Sequence, residues 1–335
     1  MTIGRNRGAN GSQAANSTLR PYDHLVGFGE AMVRLSTQVG QTLETAPNLS
    51  THVGGAELNG LIAATAFGMP STWVSAVGDD VAGRRIVRHA RAHGVTTSLE
   101  ITEDARSGLY FVEMAAFPRS TRVFYDRGWS AASLLDRNAI DWSELVTART
   151  CLYSTGITAG ISATSRRALE EAIQHARDVG AVVALDINYR RRLWPADQAY
   201  GWMMGVMPDV GILSVSDADL VQLAQPTDDL AAARKALGVD VLVVSSKERT
   251  PEAVTVTLRV VGDDGMSEAT GQAAVVDPFG AGDAMFGAYL ATAPTESRET
   301  AVDHALRAAL ITYGLHGDAM DVDPAAALEG GRILR

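Results

Sequence analysis

The sequence has a single cysteine and no long apolar run, and both absences limit where the protein can work. Cys151 has no second cysteine to pair with in the chain, so an internal disulfide is excluded, as is typical of proteins in a reducing compartment. No segment reaches the roughly 18 uncharged apolar residues that a membrane helix requires. The amino terminus also lacks the apolar centre of a signal peptide. We therefore expect a soluble, cytoplasmic protein with no membrane contact.

Positive charge is also scarce. The chain carries 29 Lys and Arg against 39 Asp and Glu, which gives a formal net charge of -10. Because a nucleic-acid surface needs concentrated positive charge, a nucleic-acid partner is not expected. A small anionic substrate stays open, since a few local arginines can override the field of the whole protein.

Several common motifs are absent or incomplete. No G-x-x-x-x-G-K-[ST] phosphate loop occurs, and Gly27-Phe-Gly29 lacks the third glycine of a dinucleotide fingerprint. His89 and His93 have the i, i+4 spacing of a metal-binding helix, but the glutamate of the zinc motif is missing and arginines surround the pair. We interpret these histidines as part of a surface helix.

What the sequence does contain is a regular alternation of apolar strands and helices over residues 22–330. With 335 residues and 46% apolar content the chain can build a sizeable core, whereas residues 1–21, rich in Gly, Asn and Ser, are predicted to form a disordered tail. The alternation predicts an α/β fold of three layers, in which helices cover both faces of a mainly parallel sheet. No linker or repeat interrupts residues 22–330, so we predict one domain. The predicted strands are His24–Phe28, Thr72–Val77, Cys151–Ser154, Val182–Asp186, Gly211–Val215 and Val239–Ser245, and the predicted helices are Ala56–Phe67, Gly83–His93, Ala163–Val179 and Leu230–Leu237.

The segment 108-GLYFVEMAAFPRSTRVFYDR-127 breaks the alternation. Two β-rich runs flank Pro118-Arg-Ser-Thr121, a pattern that indicates a hairpin. Together with strands from about residues 32–53 it is predicted to form a small β-sheet. Ligands of open α/β sheets bind at the carboxyl ends of the strands, so we expect this sheet to act as a lid there.

The segment 277-DPFGAGDAMFGAYL-290 places Gly280-Ala-Gly-Asp283 directly before an apolar helix. The first turn of a helix has unpaired N–H groups and the positive end of the helix dipole, and glycines allow an anion to approach them. Asp283 could accept a proton from a hydroxyl while the N–H groups bind a phosphoryl oxygen. The alternative is an ordinary helix start that Asp283 caps.

This segment resembles the carboxyl-terminal signature of the ribokinase or PfkB carbohydrate kinases. Further blocks resemble the 2-keto-3-deoxygluconate kinase branch of that family in the same order, and the resemblance covers roughly residues 24–328. These blocks are 27-GFGEAMVRLS-36, 53-VGGAELNGLIAA-64, 77-VGDDVAGRRI-86, 125-YDRGWSAAS-133 and 186-DINYRRRLW-194. The resemblance implies a ribokinase-like fold.

The resemblance also implies an activity: transfer of the ATP γ-phosphoryl group to the terminal hydroxyl of 2-keto-3-deoxygluconate, with Mg²⁺ on the phosphates. Asp283 would be the catalytic base, and Gly280, Ala281 and Gly282 would form the anion hole. The substrate-binding residues would be Gly54, Gly55, Asn59, Tyr110, Tyr125, Arg127 and Arg190. A guanidinium matches a carboxylate in a bidentate geometry, so Arg127 and Arg190 would bind the acid group, whereas Arg191 and Arg192 are interpreted as a solvated turn. A homodimer through the lid sheet is also implied.

The chain departs from the family on the nucleotide side. Ser216-Asp-Ala-Asp219 stands where an Asn-x-x-Glu block is common, and 247-KERTPE-252 stands where a Lys-x-Gly-x-x-Gly turn is common. Ser216, Asp219 and Lys247 are therefore the expected nucleotide-side residues, with Asp219 as a possible Mg²⁺ contact. Because Arg249 and Glu252 replace glycines, a sugar-binding pseudokinase stays open, as does a kinase for a neutral sugar such as ribose or fructose.

Overall fold

The computed structural model describes residues 20–116, 118–135, 139–223, 225–250 and 252–327. Residues 1–19 of the predicted tail lie outside the described residues. Arg20, by contrast, donates a hydrogen bond of 3.0 Å to the carbonyl oxygen of Gly180.

The strands of the described residues form a sheet of nine and a sheet of four. They are β1 (His24–Phe28), β2 (Met32–Ser36), β3 (Ser50–Gly54), β4 (Ser71–Gly78), β5 (Thr96–Thr102), β6 (Leu109–Glu113), β7 (Arg122–Asp126), β8 (Thr150–Thr155), β9 (Val182–Asp186), β10 (Ile212–Ser216), β11 (Val241–Arg249), β12 (Ala253–Gly262) and β13 (Gly265–Ala274). The helices are α1 (Ala56–Ala66), α2 (Val81–Ala92), α3 (Ala131–Leu134), α4 (Trp142–Leu145), α5 (Gly156–Ile161), α6 (Ala163–Val179), α7 (Ala196–Val206), α8 (Asp217–Gln222), α9 (Leu230–Leu237), α10 (Ala281–Thr292), α11 (Arg298–Tyr313) and α12 (Pro324–Ala327). Within these residues, no helix has both the length and the apolar content to cross a membrane.

The large sheet confirms the predicted, mainly parallel α/β architecture. Its strand order is β13-β12-β11-β10-β9-β8-β1-β4-β5, and every neighbouring pair from β11 to β5 is parallel. The strands β12 and β13 extend it antiparallel at one edge. The central strands β4 and β8 are buried along their whole length, as expected for parallel strands covered on both faces.

Helices cover the two faces of this sheet because successive side chains of a strand point to opposite sides. In β4, Trp73 and Val77 pack into a core shared with α1, α2, α10 and α11. Val74 and Ala76 pack into a second core shared with α3, α6, α7 and α9. The result is three layers, with the parallel strands ending together at one edge of the sheet.

The small sheet has the order β3-β2-β6-β7. The strands β6 and β7 pair antiparallel, as predicted for the hairpin, and β2 pairs parallel with β6 and antiparallel with β3.

One predicted boundary is wrong in a way that matters for function. The strand predicted to end at Ser245 continues as β11 to Arg249 and pairs with β12 in a hairpin. The turn is short, because the N–H of Thr250 donates to the carbonyl oxygen of Ala253 at 2.9 Å. Lys247 and Arg249 are therefore strand residues and do not belong to a glycine-type loop.

Candidate active site

A cavity of about 970 Å³ lies between the small sheet and the carboxyl ends of the parallel strands. The predicted residues that line it are Gly54, Gly55, Asn59, Tyr110, Tyr125, Arg127, Arg190, Gly280 and Asp283. The remaining predicted residues, Ser216, Asp219, Lys247, Ala281 and Gly282, do not line it. The cavity therefore gathers the proposed substrate side of the site and leaves out the proposed nucleotide side.

Two helices begin at the cavity with a glycine. Gly55 precedes α1 and Gly280 precedes α10, and neither helix has a side-chain cap. By contrast, Asp80, Ser162 and Ser297 cap α2, α6 and α11 with their side chains. Because no side chain occupies the first N–H groups of α10, they are available to an anion.

Close packing of these two helices determines which side chains meet. A Cβ on Gly287 of α10 would lie only 1.9 Å from the carbonyl oxygen of Gly60 in α1, so the two backbones touch at this point. The close crossing brings Asn59 beside Asp283, and the Asn59 amide donates to the Asp283 carboxylate at 2.9 Å. The other amide atom of Asn59, its Oδ1, is buried and has no hydrogen-bond partner among the described residues.

Asp283 is partly buried in the first turn of α10. Burial raises the pKa of Asp283 to about 6, although the Asn59 hydrogen bond and the charges of Arg190 and Lys247 oppose the rise. A second amide, from Asn188, lies 3.4 Å from the other carboxylate oxygen. Asn188 has a φ of 41°, in the left-handed region that asparagine tolerates better than most residues. A carboxylate with a pKa near neutrality suits a general base.

A second carboxylate near Asp283 was not foreseen from the sequence. Asp186 ends β9, and burial followed by the charges of Asp283 and Asp219 raises its pKa to about 7. The block 186-DINYRRRLW-194 contained it, but only Arg190 was selected there. The position of Asp186 at the carboxyl end of a central parallel strand was the available signal.

Lys247 and the α10 amino terminus are close together. A Cβ on Gly282 would lie 3.5 Å from the Lys247 Nζ, so this cation stands over the first turn of the helix. Ser216 and Asp219 form a reciprocal capping box at the start of α8. Asp219 accepts from Ser216 Oγ at 2.6 Å and from the Tyr200 hydroxyl at 2.9 Å, so both its carboxylate oxygens have partners inside the protein.

The side chains near Asp283 can be compared with the ligands that the expected Mg²⁺ would need. Among the described residues, no group of three or more His, Cys, Asp or Glu side chains is placed to hold a metal ion. The charge of Asp283 helps to raise the pKa of Asp186, so a nearby positive charge would favour the ionised form of Asp186. That donor set fits a Mg²⁺ bound mainly by phosphates with one or two carboxylates nearby, a common arrangement for this ion. Asp219 is the less suitable contact because its oxygens are engaged.

The two predicted carboxylate-binding arginines differ in their surroundings. Arg127 donates to the buried carboxylate of Glu30 through Nε at 2.7 Å and through Nη2. Glu30 also accepts from the hydroxyl of Ser130. Arg190 is exposed and donates only to the carbonyl oxygens of Asn188 and Tyr189, with no carboxylate partner in the described part of the chain. Glu30 was not foreseen, and it neutralises Arg127 in this structure.

The turn after β9 also contributes to the cavity. Arg191 and Arg192 are exposed, as interpreted from the sequence, but both line the cavity. Arg192 donates to the carbonyl oxygen of Val123 in β7 and so connects this turn with the small sheet. Five arginines line the cavity in all: Arg122, Arg127, Arg190, Arg191 and Arg192.

The predicted tyrosines stack across the strand pair β6 and β7. The rings of Tyr110 and Tyr125 have centroids 5.8 Å apart, and Tyr125 is the more exposed of the two. The Tyr110 hydroxyl donates to Asp318 at 2.6 Å. A Cβ on Gly54 would lie 2.2 Å from that hydroxyl, so Gly54 leaves room for this contact. Asp318 was not foreseen from the sequence.

The rings of His89 in α2 and of His93 directly after it have centroids 4.5 Å apart and are tilted relative to each other. His93 Nε2 lies 3.0 Å from Asp321. They belong to no metal-binding group among the described residues.

The chain is similar along most of its length to two curated kinases. It is 33% identical over 323 residues to the 2-dehydro-3-deoxygalactonokinase of Haloferax volcanii, with 93% of this chain and 96% of that protein covered. It is 30% identical over 302 residues to the 2-dehydro-3-deoxygluconokinase of Thermoproteus tenax, with 88% and 89% covered. Both names use 2-dehydro for the group that the sequence analysis called 2-keto.

The fold and the family agree with the sequence analysis. The crystal structure of 2-dehydro-3-deoxygluconokinase from Thermotoga maritima superposes with a TM-score of 0.85 over 92% of this chain and 100% of that chain, at 23% identity. This likeness confirms the ribokinase-like fold. The family described as pfkB family carbohydrate kinase matches residues 23–324. The chain therefore belongs to the PfkB family of carbohydrate kinases and is a sugar kinase.

Proposed function

We propose that the substrate is a 2-dehydro-3-deoxy sugar acid, either the gluconate or its galactonate epimer, phosphorylated at its terminal hydroxyl by ATP. For the gluconate the product is 2-keto-3-deoxy-6-phosphogluconate. The observation that supports this proposal most directly is the set of five arginines around one cavity. The names of the two relatives point to the same class of substrate.

The balance of charge in the cavity favours an anion. Its acidic lining residues are Glu30, Asp283 and Asp318. Glu30 is paired with Arg127, and Asp318 is paired with the buried Arg34. Arg190 in the turn after β9 forms no ion pair in the described residues, although its charge, with that of Lys247, lowers the pKa of the third acid, Asp283. A neutral sugar would not need this excess of positive charge, whereas a carboxylate binds a guanidinium in bidentate fashion.

Within this proposal the carboxylate is held first by Arg190. Arg127 serves mainly to orient Glu30 through its Nε and Nη2 atoms, and the Nη1 group of Arg127 is available to the substrate. This arrangement refines the expectation that both arginines bind the acid group equally.

The reacting end of the sugar would lie next to Asn59 and Asp283. The unpartnered Oδ1 of Asn59 can accept a hydrogen bond from a substrate hydroxyl, while its amide group holds the Asp283 carboxylate. Asp283 then accepts the proton of the terminal hydroxyl, while the oxygen of that hydroxyl forms a bond to the γ-phosphorus. The bond between that phosphorus and the bridging oxygen breaks, and ADP leaves. The uncapped N–H groups at Gly280, Ala281 and Gly282 stabilise the charge on the transferred group.

The nucleotide-side residues have different parts in this proposal. Lys247 stands over the first turn of α10 and would contact the phosphates directly. Ser216 and Asp219 would act indirectly, by fixing the amino terminus of α8 at the carboxyl end of β10. When bound, Mg²⁺ would supply positive charge to the phosphates, and Asp186 and Asp283 are the carboxylates that could help to hold it. A homodimer through the small sheet remains a prediction.

The test is ADP release with Mg-ATP and each of four sugars: the two 2-dehydro-3-deoxy acids, ribose and fructose. We expect turnover with one or both acids, and loss of turnover in Asp283→Asn. Turnover with a neutral sugar alone would overturn the proposed substrate. Binding of the acid without any turnover would favour the pseudokinase alternative.

Arginine variants test the carboxylate assignment. Arg190→Ala should raise the KM for the acid by about 10- to 100-fold, since a charge-assisted hydrogen bond contributes about 1.5–3 kcal/mol. Arg127→Ala should have a smaller effect on the KM. The control is Arg167→Ala, which removes an exposed arginine of α6 outside the cavity. An unchanged preference for acid over neutral sugar in Arg190→Ala would remove the carboxylate assignment.

A further inference from the structure

A buried arginine connects the small sheet with the loop that precedes α10. Arg34 of β2 is 1% exposed, and its guanidinium donates to Asp318 at 2.9 Å and to Asp277 at 2.8 Å. Its Nε donates to Ser36 Oγ at 2.6 Å, and the guanidinium lies 4.6 Å from the ring centroid of Phe279. Arg34 of β2 therefore contacts both the loop before α10 and the loop after α11.

Each carboxylate in this group also accepts hydrogen bonds from other elements. Asp277 accepts from the N–H of Phe279 at 3.2 Å and from the N–H of Gly317 at 3.1 Å. It thus ties the loop before α10 to the loop after α11. Asp318 accepts from the hydroxyl of Tyr110, which belongs to β6 of the small sheet.

The two loops meet at Gly280. This residue has a φ of 73°, and a Cβ on it would lie 1.7 Å from the carbonyl oxygen of Asp318. The position of Asp318 therefore determines where Gly280, and with it the first N–H groups of α10, can lie. Arg34 contacts the side chain of the same Asp318.

The charges favour a fixed geometry. Burial alone would lower the pKa of Arg34, but the charges and hydrogen bonds of Asp318 and Asp277 outweigh it and raise the pKa above its ordinary value. Burial raises the pKa of Asp318, and the charge of Arg34 and the hydrogen bonds of Tyr110 and Arg34 oppose that rise. Two buried carboxylates thus depend on one guanidinium, whose planar fork cannot be replaced by the single ammonium of lysine.

We propose that Arg34 is a positioning residue for phosphoryl transfer, which aligns the anion hole at Gly280 through Asp277 and Asp318 and couples it to the sheet that covers the sugar. Arg34 acts through these two carboxylates and does not line the cavity. The proposal goes beyond the substrate assignment and holds for whichever sugar the enzyme phosphorylates.

The main test compares Arg34→Lys with Arg234→Lys. Arg234 is also a buried arginine, on α9, where it pairs with Asp263 and donates to the carbonyl oxygens of Val239 and Asp240 at 3.0 Å. Both variants should lower the melting temperature. Only Arg34→Lys should lower kcat, by about 10- to 100-fold, because small displacements at a reacting centre have effects of this size. The dissociation constant of the sugar without nucleotide should change less than kcat.

A double-mutant cycle tests whether Arg34 acts through the loop. Gly280→Ala displaces the same backbone, so its effect on kcat should be non-additive with that of Arg34→Lys. The effects of Gly280→Ala and Arg234→Lys should add. If Arg34→Lys keeps the wild-type kcat per folded molecule, or if Arg234→Lys lowers kcat equally, Arg34 has only a structural role and the proposal fails.

Amide hydrogen exchange provides a readout that needs no substrate, and so separates this proposal from the substrate assignment. Amides in the peptides that cover residues 277–283 and 314–318 should exchange faster in Arg34→Lys. Their exchange rates should be unchanged in Arg234→Lys. Ser36→Ala removes only the hydroxyl partner of Arg34 and is the variant to use if Arg34→Lys does not fold. It should speed exchange in the same two peptides, and unchanged exchange there would overturn the proposal.

Discussion

The amide of Asn59 donates to the carboxylate of Asp283 at 2.9 Å and thereby joins the beginnings of α1 and α10. This hydrogen bond stabilises the charged form of Asp283 and opposes the effect of burial, which raises the pKa of Asp283 to about 6. The pair therefore determines the pH at which the proposed base becomes active.

Replacing Asn59 should move the acid limb of the pH profile. Because Asp283 must be ionised to accept a proton, kcat/KM should fall as the pH decreases through about 6. Asn59→Leu removes the hydrogen bond, so the pKa of Asp283 should increase and the limb should shift to higher pH. Asn188→Gly, which tolerates the φ of 41° and loses a longer contact of 3.4 Å, should shift the limb less. If the acid limb stays at the same pH in Asn59→Leu, Asn59 does not influence the pKa of the catalytic group.

Asp283→Asn should remove activity and increase stability. Loss of a positioned general base reduces turnover by about 10²- to 10⁴-fold. The pKa of about 6 in the folded protein exceeds the ordinary value of 3.8, so the folded state binds more protons between these pH values. The charged carboxylate therefore destabilises the fold above pH 6, and this penalty vanishes as the pH falls below 4. At pH 8 the variant should gain about 1–3 kcal/mol in the free energy of unfolding. Chemical denaturation at pH 8 and pH 4 measures the gain in the free energy of unfolding where Asp283 is charged and where it is neutral. An equal gain at the two pH values would contradict the raised pKa of Asp283.

Gly287→Ala should damage both the fold and the site. The added Cβ would meet the carbonyl oxygen of Gly60 at 1.9 Å, and backbone can yield only if the helices separate. We expect a loss of about 1–3 kcal/mol and a lower kcat, because the separation also moves Asn59 from Asp283. Gly205→Ala is the control, since Gly205 lies exposed in α7 with no atom within 4 Å of the added Cβ. The control should gain about 0.5–1 kcal/mol from the removal of a helix glycine. Equal effects in thermal denaturation would mean that the helix crossing is adaptable.

Lys247 and Arg249 of β11 test the nucleotide side. Their side chains lie on the same face of the strand, and both are exposed, but Lys247 reaches the first turn of α10. Lys247→Ala should reduce kcat/KM for ATP by about tenfold, as expected for loss of one charged phosphate contact. Arg249→Ala should leave this value within about twofold. A larger loss from Arg249→Ala would show that the hairpin turn contacts the nucleotide, as the comparison with a glycine-type turn suggested.

A comparison of predicted and observed bounds shows which elements the local sequence pattern predicts. The apolar runs of β1 and β9 and the capped, amphipathic helices α6 and α9 were predicted at their observed bounds, because burial and helix periodicity are local properties of sequence. The turn residues before β7 predicted the hairpin for the same reason. The end of β11 was wrong, since its extension to Arg249 depends on pairing with β12, which no local pattern in residues 247–252 shows.

The sequence by itself determined the layered architecture, the start of α10 at Gly280 and the presence of a carboxylate in its first turn. Only the tertiary structure decided which side chains meet there. Glu30, Asp186 and Asp318 lie at or beside the site because strand ends and loops far apart in sequence converge at one edge of the sheet, and Arg34 contacts the site through Asp318. Pairing of buried charges depends on distance in space, and a guanidinium that looks free in the sequence, such as that of Arg127, can already have its carboxylate inside the protein.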